Sequence, residues 1–161
     1  MRWLLVFLMS SCMAFGESIR GVVINVIDGD TITLLEKTPE QKRLEGIDTP
    51  ERGQNGYEGA KEYLEKLICG ETVTVKYSQH DRYGRILGEV WYGKVFVNEE
   101  LVKDGWAWIY KKFSASRKLA SLEAEARKSK KGLWAEPNPI PPWEWKAAKR
   151  REDAAGKFLT E

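Results

Sequence analysis

Apolar residues alternate or run together through residues 19–26, 31–35 and 42–47, and Asp-Gly and Thr-Pro turn signals separate these stretches. The pattern predicts three strands in a meander. From Tyr57 the period changes: Ala60, Leu64, Leu67 and Ile68 fall at i, i+4, i+7 and i+8, an amphipathic helix that Gly70 stops. Strand character resumes at residues 72–77 and 86–91, and Tyr92-Gly93-Lys94 turns the chain into a short strand at 95–97. A short helix follows, with Asn98 as its N-cap, through Leu101 and Val102 to Gly105. The last regular element starts near Ser116, carries Leu119, Leu122 and Ala126 on one face, and ends at Lys130-Lys131-Gly132.

Short strands with a helix inserted after the third, then two more helices, predict an α+β fold that is mainly β. The expected architecture is a five-stranded OB-type barrel with three packed helices, over residues 17–136. Beyond it, Pro137, Pro139, Pro141 and Pro142 break regular structure, while Trp134, Trp143 and Trp145 carry enough apolar surface to lie against the domain. Residues 137–161 therefore read as a Pro/Trp-rich and then polar tail, frayed from about Ala147.

With 161 residues, 42% hydrophobic and 31% charged, the chain suits one globular domain and not a fibrous or disordered polymer. A net charge of +2 decides nothing about a nucleic-acid partner. Residues 1–16 read as a cleavable signal peptide: Arg2, an apolar run at 3–9, and Ala14-Phe15-Gly16 as the small-residue cleavage site. That run is too short to span a bilayer. The expectation is a secreted or periplasmic protein, with lipoprotein anchoring at Cys12 or a retained anchor as alternatives. Without the leader Cys69 is the single cysteine, so no internal disulfide forms, and a buried inert thiol is expected there.

The candidate chemistry lies in three clusters: Asp28-Gly29-Asp30-Thr31, then Arg43 with Asp48-Thr49-Pro50-Glu51, and Asp81-Arg82-Tyr83-Gly84-Arg85. Asp28 and Asp30 flank Gly29, and two such carboxylates repel unless a cation intervenes; taken alone, the motif is also an ordinary hairpin turn. Asp30 and Asp48 with the Thr49 carbonyl make a partial oxygen shell for a hard ion such as Ca²⁺. No zinc set competes, because His80 is the lone histidine and reads as a surface loop residue. Glu51 can orient or deprotonate water, and Arg43 and Arg85 can hold phosphate by bidentate forks. The plainer reading is rim ion pairing, Arg43 with Glu51 and Arg85 with Asp81.

These segments, with the Val97-Asn98-Glu99-Glu100-Leu101-Val102 helix leading to Gly105, closely resemble the staphylococcal nuclease family over about residues 19–136. The resemblance implies calcium at Asp30, Asp48 and the Thr49 carbonyl, with Asp28 and Glu51 close behind, partly through water. It implies Arg43, Glu51 and Arg85 as the catalytic set of a Ca²⁺-dependent nuclease that cuts DNA and RNA to leave 3′-phosphate ends. Glu51 would be the general base or a water-positioning group. The loop at residues 52–57 is shorter than in the family prototype, and Lys111 and Phe113 occupy the positions of its nucleotide-stacking tyrosines.

Arg82, Tyr83, Tyr110, Lys111 and Phe113 are accordingly the substrate-binding candidates. Aromatics interleaved with lysines suit single strands, since stacking tolerates any sequence. Trp106, Trp108 and Tyr110 read equally well as packing residues, and Arg127, Lys128, Lys130 and Lys131 as a solvated helix face. The alternative to an enzyme is a noncatalytic OB-type module that binds nucleic acid or protein. Presence of all five of Asp30, Arg43, Asp48, Glu51 and Arg85 favours catalysis. A monomer is expected.

Overall fold

The computed structural model describes residues 17–110 and 116–158; the leader with Cys12, and Lys111 and Phe113, lie outside the described residues. The chain runs β1 (Glu17–Asp28), β2 (Thr31–Leu35), β3 (Pro39–Leu44), β4 (Ile47–Asp48), α1 (Tyr57–Ile68), β5 (Thr72–His80), β6 (Ile86–Tyr92) and β7 (Val95–Phe96). It continues with α2 (Val97–Lys103), β8 (Trp108–Ile109), α3 (Arg117–Lys128), a 3₁₀ turn at Gly132–Ala135 and α4 (Pro142–Phe158).

The sheet order is β3-β2-β1-β5-β6-β7, and β3 also pairs in parallel with β6. That second pairing closes β1, β2, β3, β5 and β6 into the expected five-stranded barrel. Val23, Val26, Ile32, Leu34, Leu44, Val73, Val75 and Val90 fill it, with Leu64 and Ile68 of α1 and Leu101 of α2 packed on the same core. Strict alternation fails in β1, where register shifts between Val23 and Asn25 and between Val26 and Asp28 keep both valines facing inward. The second shift lies at the turn that carries the first acidic cluster.

Four local expectations are corrected. The stretch 42–47 is not one strand: Gly46 takes φ 76°, β3 ends at Leu44, and β4 pairs instead with β8. Asn98 is not a cap, because α2 begins at Val97 and Asn98 is wholly buried beneath it. Its Oδ1 accepts from Val90 N at 3.0 Å, and its Nδ2 donates to the carbonyls of Glu45 at 2.9 Å and Gly88 at 3.3 Å. A short amide serves here as a rivet between α2, β6 and the chain after β3. Cys69 is exposed, since it follows Ile68, the last buried residue of α1, in an extended cap conformation that turns it off the buried face.

The fourth correction is the largest. Residues 142–158 form a fourth helix, α4, where a polar frayed end was expected. Pro142 stands at its first position, where proline's missing N–H costs nothing and its fixed φ suits a helix, so the proline run launches the helix and does not abolish order. Trp143 packs against the cluster of Trp108, Ala126, Leu133 and Trp134.

Candidate active site

Asp28 and Thr31 face each other across the β1–β2 hairpin, leaving Gly29 and Asp30 as its turn. Asp28 Oδ1 accepts from Asp30 N at 3.1 Å, so this carboxylate shapes the turn. Gly29 is required by proximity: a Cβ there would meet Ala60 Cβ and Thr49 Oγ1, each at 2.8 Å. The turn is thereby pressed against α1 and the chain after β4, and Asp30 is 1% exposed.

Arg43 stands opposite Thr31 in the β2–β3 register, which brings its guanidinium to Asp30. Nη1 donates to Asp30 Oδ1 and Nη2 to Asp48 Oδ1, both at 2.7 Å. Asp30 also accepts from Thr31 Oγ1 at 3.2 Å and, through Oδ2, from Thr49 N at 3.0 Å. The expected Arg43–Glu51 pair gives way to this fork across two buried carboxylates.

Burial raises the pKa of Asp30, with Arg43 opposing and Asp28 and Asp48 adding to the rise. Burial likewise raises Asp48 against Arg43 and Lys146. For Arg43 burial works against the charge, but Asp30 and Asp48 outweigh it and raise its pKa, so the guanidinium stays charged. Arg43 and Lys146 thus face four carboxylates, those of Asp28, Asp30, Asp48 and Glu51, so acids outnumber cations at the site.

Among the described residues no group of three or more His, Cys, Asp or Glu side chains is gathered closely enough to form a metal cage. The donor chemistry nevertheless fits a hard cation: two buried carboxylates, both oxygen donors, with the Thr49 carbonyl as a third candidate and a deficit of positive charge between them. Asp30, Asp48 and Thr49 are the residues that can hold such an ion.

Glu51 follows Pro50 and is about one-third exposed (35%). Its carboxylate meets Lys146 of α4, with Nζ 2.7 Å from Oε1, and the same Nζ is 3.7 Å from Asp48 Oδ1. Gln54 ties the two segments together: its Oε1 accepts from Glu51 N at 3.0 Å and its Nε2 donates to the Ile140 carbonyl at 2.6 Å. Lys146 and Gln54 were not singled out by sequence reasoning. The available signal was Pro142 followed by Trp143, Trp145 and Lys146, a helix start with one apolar and one basic side.

Arg85 precedes β6, whose parallel register sets Ile86 opposite Lys42 and Leu87 opposite Arg43. Arg85 thus stands two positions before the residue that lies opposite Arg43, just outside the strand. Its Nε donates to Asp81 Oδ2 at 2.7 Å, as the plainer reading anticipated. Tyr83 is 69% exposed at the tip of this turn, with the guanidinium carbons of Arg82 and Arg85 at 4.8 and 5.6 Å from its ring centre. Tyr110 lies 5.6 Å from Trp143, ring centre to ring centre, while Trp108 is buried edge-on to Trp134. The packing reading therefore holds for Trp108, and Trp106 is likewise packed on the core.

The family described as Staphylococcal nuclease homologue matches residues 41–136. An uncharacterized endonuclease of Escherichia coli is 41% identical over 133 residues, 81% of this chain and 87% of that protein. The micrococcal nuclease of Shigella flexneri is 34% identical over 143 residues, 81% of this chain and 82% of its own length. The probable staphylococcal-like nuclease CAN1 of Oryza sativa subsp. japonica is 41% identical over 112 residues, 70% of this chain but 34% of the longer plant protein. A family match over more than half the chain, and relatives alike over most of their length, mean that this chain belongs to the staphylococcal nuclease family.

Proposed function

We propose that the protein is a nuclease that hydrolyses phosphodiester bonds of DNA and RNA with Ca²⁺, prefers single strands and leaves 3′-phosphate ends. The leader-like residues 1–16 support export to the periplasm or the medium, and the proposed working unit is the monomer. Among the described residues no helix is long and apolar enough to cross a membrane. Relatives named endonuclease and micrococcal nuclease support the nuclease reading.

The observation that carries it is the fork of Arg43 across Asp30 and Asp48, two buried carboxylates that share one guanidinium. Asp30, Asp48 and the Thr49 carbonyl would hold Ca²⁺, which neutralises charge on the phosphoryl oxygens. Each of Arg43's terminal nitrogens spends one N–H on a carboxylate and retains a second, so the fork can hold a phosphate while its own position is fixed. Glu51, next to Asp48 and partly open to solvent, accepts the proton of the attacking water or orients it. Arg85, just before β6, adds a second phosphate donor.

The test is digestion of denatured DNA, duplex DNA and RNA by the mature protein with Ca²⁺ and again with a chelator, with end-group analysis of the products. Cleavage with Ca²⁺ alone, fastest on denatured DNA and leaving 3′-phosphates, is the expected result. Binding without cleavage under both conditions overturns the reading in favour of a noncatalytic binding module.

A further inference from the structure

We propose that Lys146 is a positioning residue for Glu51, so that the C-terminal helix α4 belongs to the working site; this rests on the reading of Glu51 as the base or water-orienting group. Glu51 and Asp48 are both acidic and stand on either side of one ammonium group. Among the described residues Arg43 is forked across Asp30 and Asp48 and Arg85 pairs with Asp81, while Glu51 pairs with Lys146. Lys146 Nζ stands between the two carboxylates, 2.7 Å from Glu51 and 3.7 Å from Asp48. It cancels the repulsion that would swing a partly exposed Glu51 into solvent, and it selects one carboxylate orientation.

A lysine on a loose tail could not do this, since ordering its long side chain would cost what the contact returns. This one is borne on a helix fastened at several points. Gln54 bonds the Glu51 amide with one end and the Ile140 carbonyl with the other, two residues before α4 begins. Trp143 leans on Tyr110, and Trp145 passes over Gly53, where a Cβ would stand 3.9 Å from its ring. Glu51 and Lys146 are thus held to one another through the Gln54 side chain, which bridges their segments, as well as through the ion pair.

The experiment compares wild type, Lys146→Ala and Lys146→Arg, each full length, on a single-stranded oligonucleotide with Ca²⁺, and repeats Lys146→Ala in a Glu51→Gln background. The expected result is a fall in kcat of about tenfold for Lys146→Ala with KM changed less than about twofold, consistent with lost orientation and retained binding. Lys146→Arg restores most of the rate, and Lys146→Ala costs nothing further once Glu51 is Gln, because its effect passes through that carboxylate. Thermal midpoints serve as the folding control, and the comparison within the Glu51→Gln background holds even if the alanine variant is less stable. A rise in KM with unchanged kcat makes Lys146 a phosphate contact and overturns the proposal. Unchanged kinetics, or equal losses with and without Glu51, also overturn it while leaving the nuclease reading intact. A wild-type protein that cleaves nothing overturns both.

Discussion

Arg43 and Asp30, thirteen positions apart in the chain, meet at 2.7 Å because the β2–β3 register sets Thr31 opposite Arg43. The same guanidinium reaches Asp48 with its other arm. A lysine at position 43 is a point charge on one stem and can satisfy one of the two carboxylates at a time. Arg43→Lys is therefore expected to lower turnover by about 10²-fold or more and to cost about 1–3 kcal/mol of stability through the carboxylate left without its partner. Cleavage rates and urea denaturation measure the two effects; a variant close to wild type in both would show that the fork is dispensable.

The Asp81–Arg85 turn gives a pH prediction. Partial burial alone would raise the Asp81 pKa, but the Arg85 side chain at 2.7 Å and the amides of Arg85 at 2.9 Å and Tyr83 at 2.8 Å hold it below the ordinary value. A depressed carboxylate stabilises the fold fully above its unfolded pKa, about 3.9, and that stabilisation is lost as pH falls through the folded value. The Arg85 Nε–H and the Tyr83 and Arg85 amide resonances should hold their positions from neutral pH down to about pH 4 and move only below it. Movement that is complete at higher pH would show that Asp81 does not hold the turn.

Asn98 offers a test of the barrel itself. Replacing it by alanine strands the Val90 amide and two carbonyls in a wholly buried position. The expected cost is about 3 kcal/mol, with the denaturant slope unchanged. A loss below about 1 kcal/mol would mean that the three backbone groups find other partners.

Periodicity sufficed where an element buries one face. α1 and α3 appear where the apolar spacing placed them, and Ser116 caps α3 by accepting from Leu119 N, as its position before the apolar run suggests. β4 and β8 are two residues each and are defined only by one another, so no local pattern could reveal them. Asn98 was misread because caps and buried bridges draw on the same short polar side chains. The meeting of Asp30, Arg43 and Asp48 was legible because a turn and a strand gather them from neighbouring stretches of chain. Lys146 was not, since its partner Glu51 lies far back in the sequence and the prolines just before Lys146 read as breaks in regular structure.

Parallel pairing of β3 with β6 joins an early hairpin to a late one, and it sets Leu87, two residues after Arg85, opposite Arg43. A chain that held both hairpins without that seam would lack the closed barrel. Activity is therefore expected to be lost together with the barrel when heat or denaturant opens the seam.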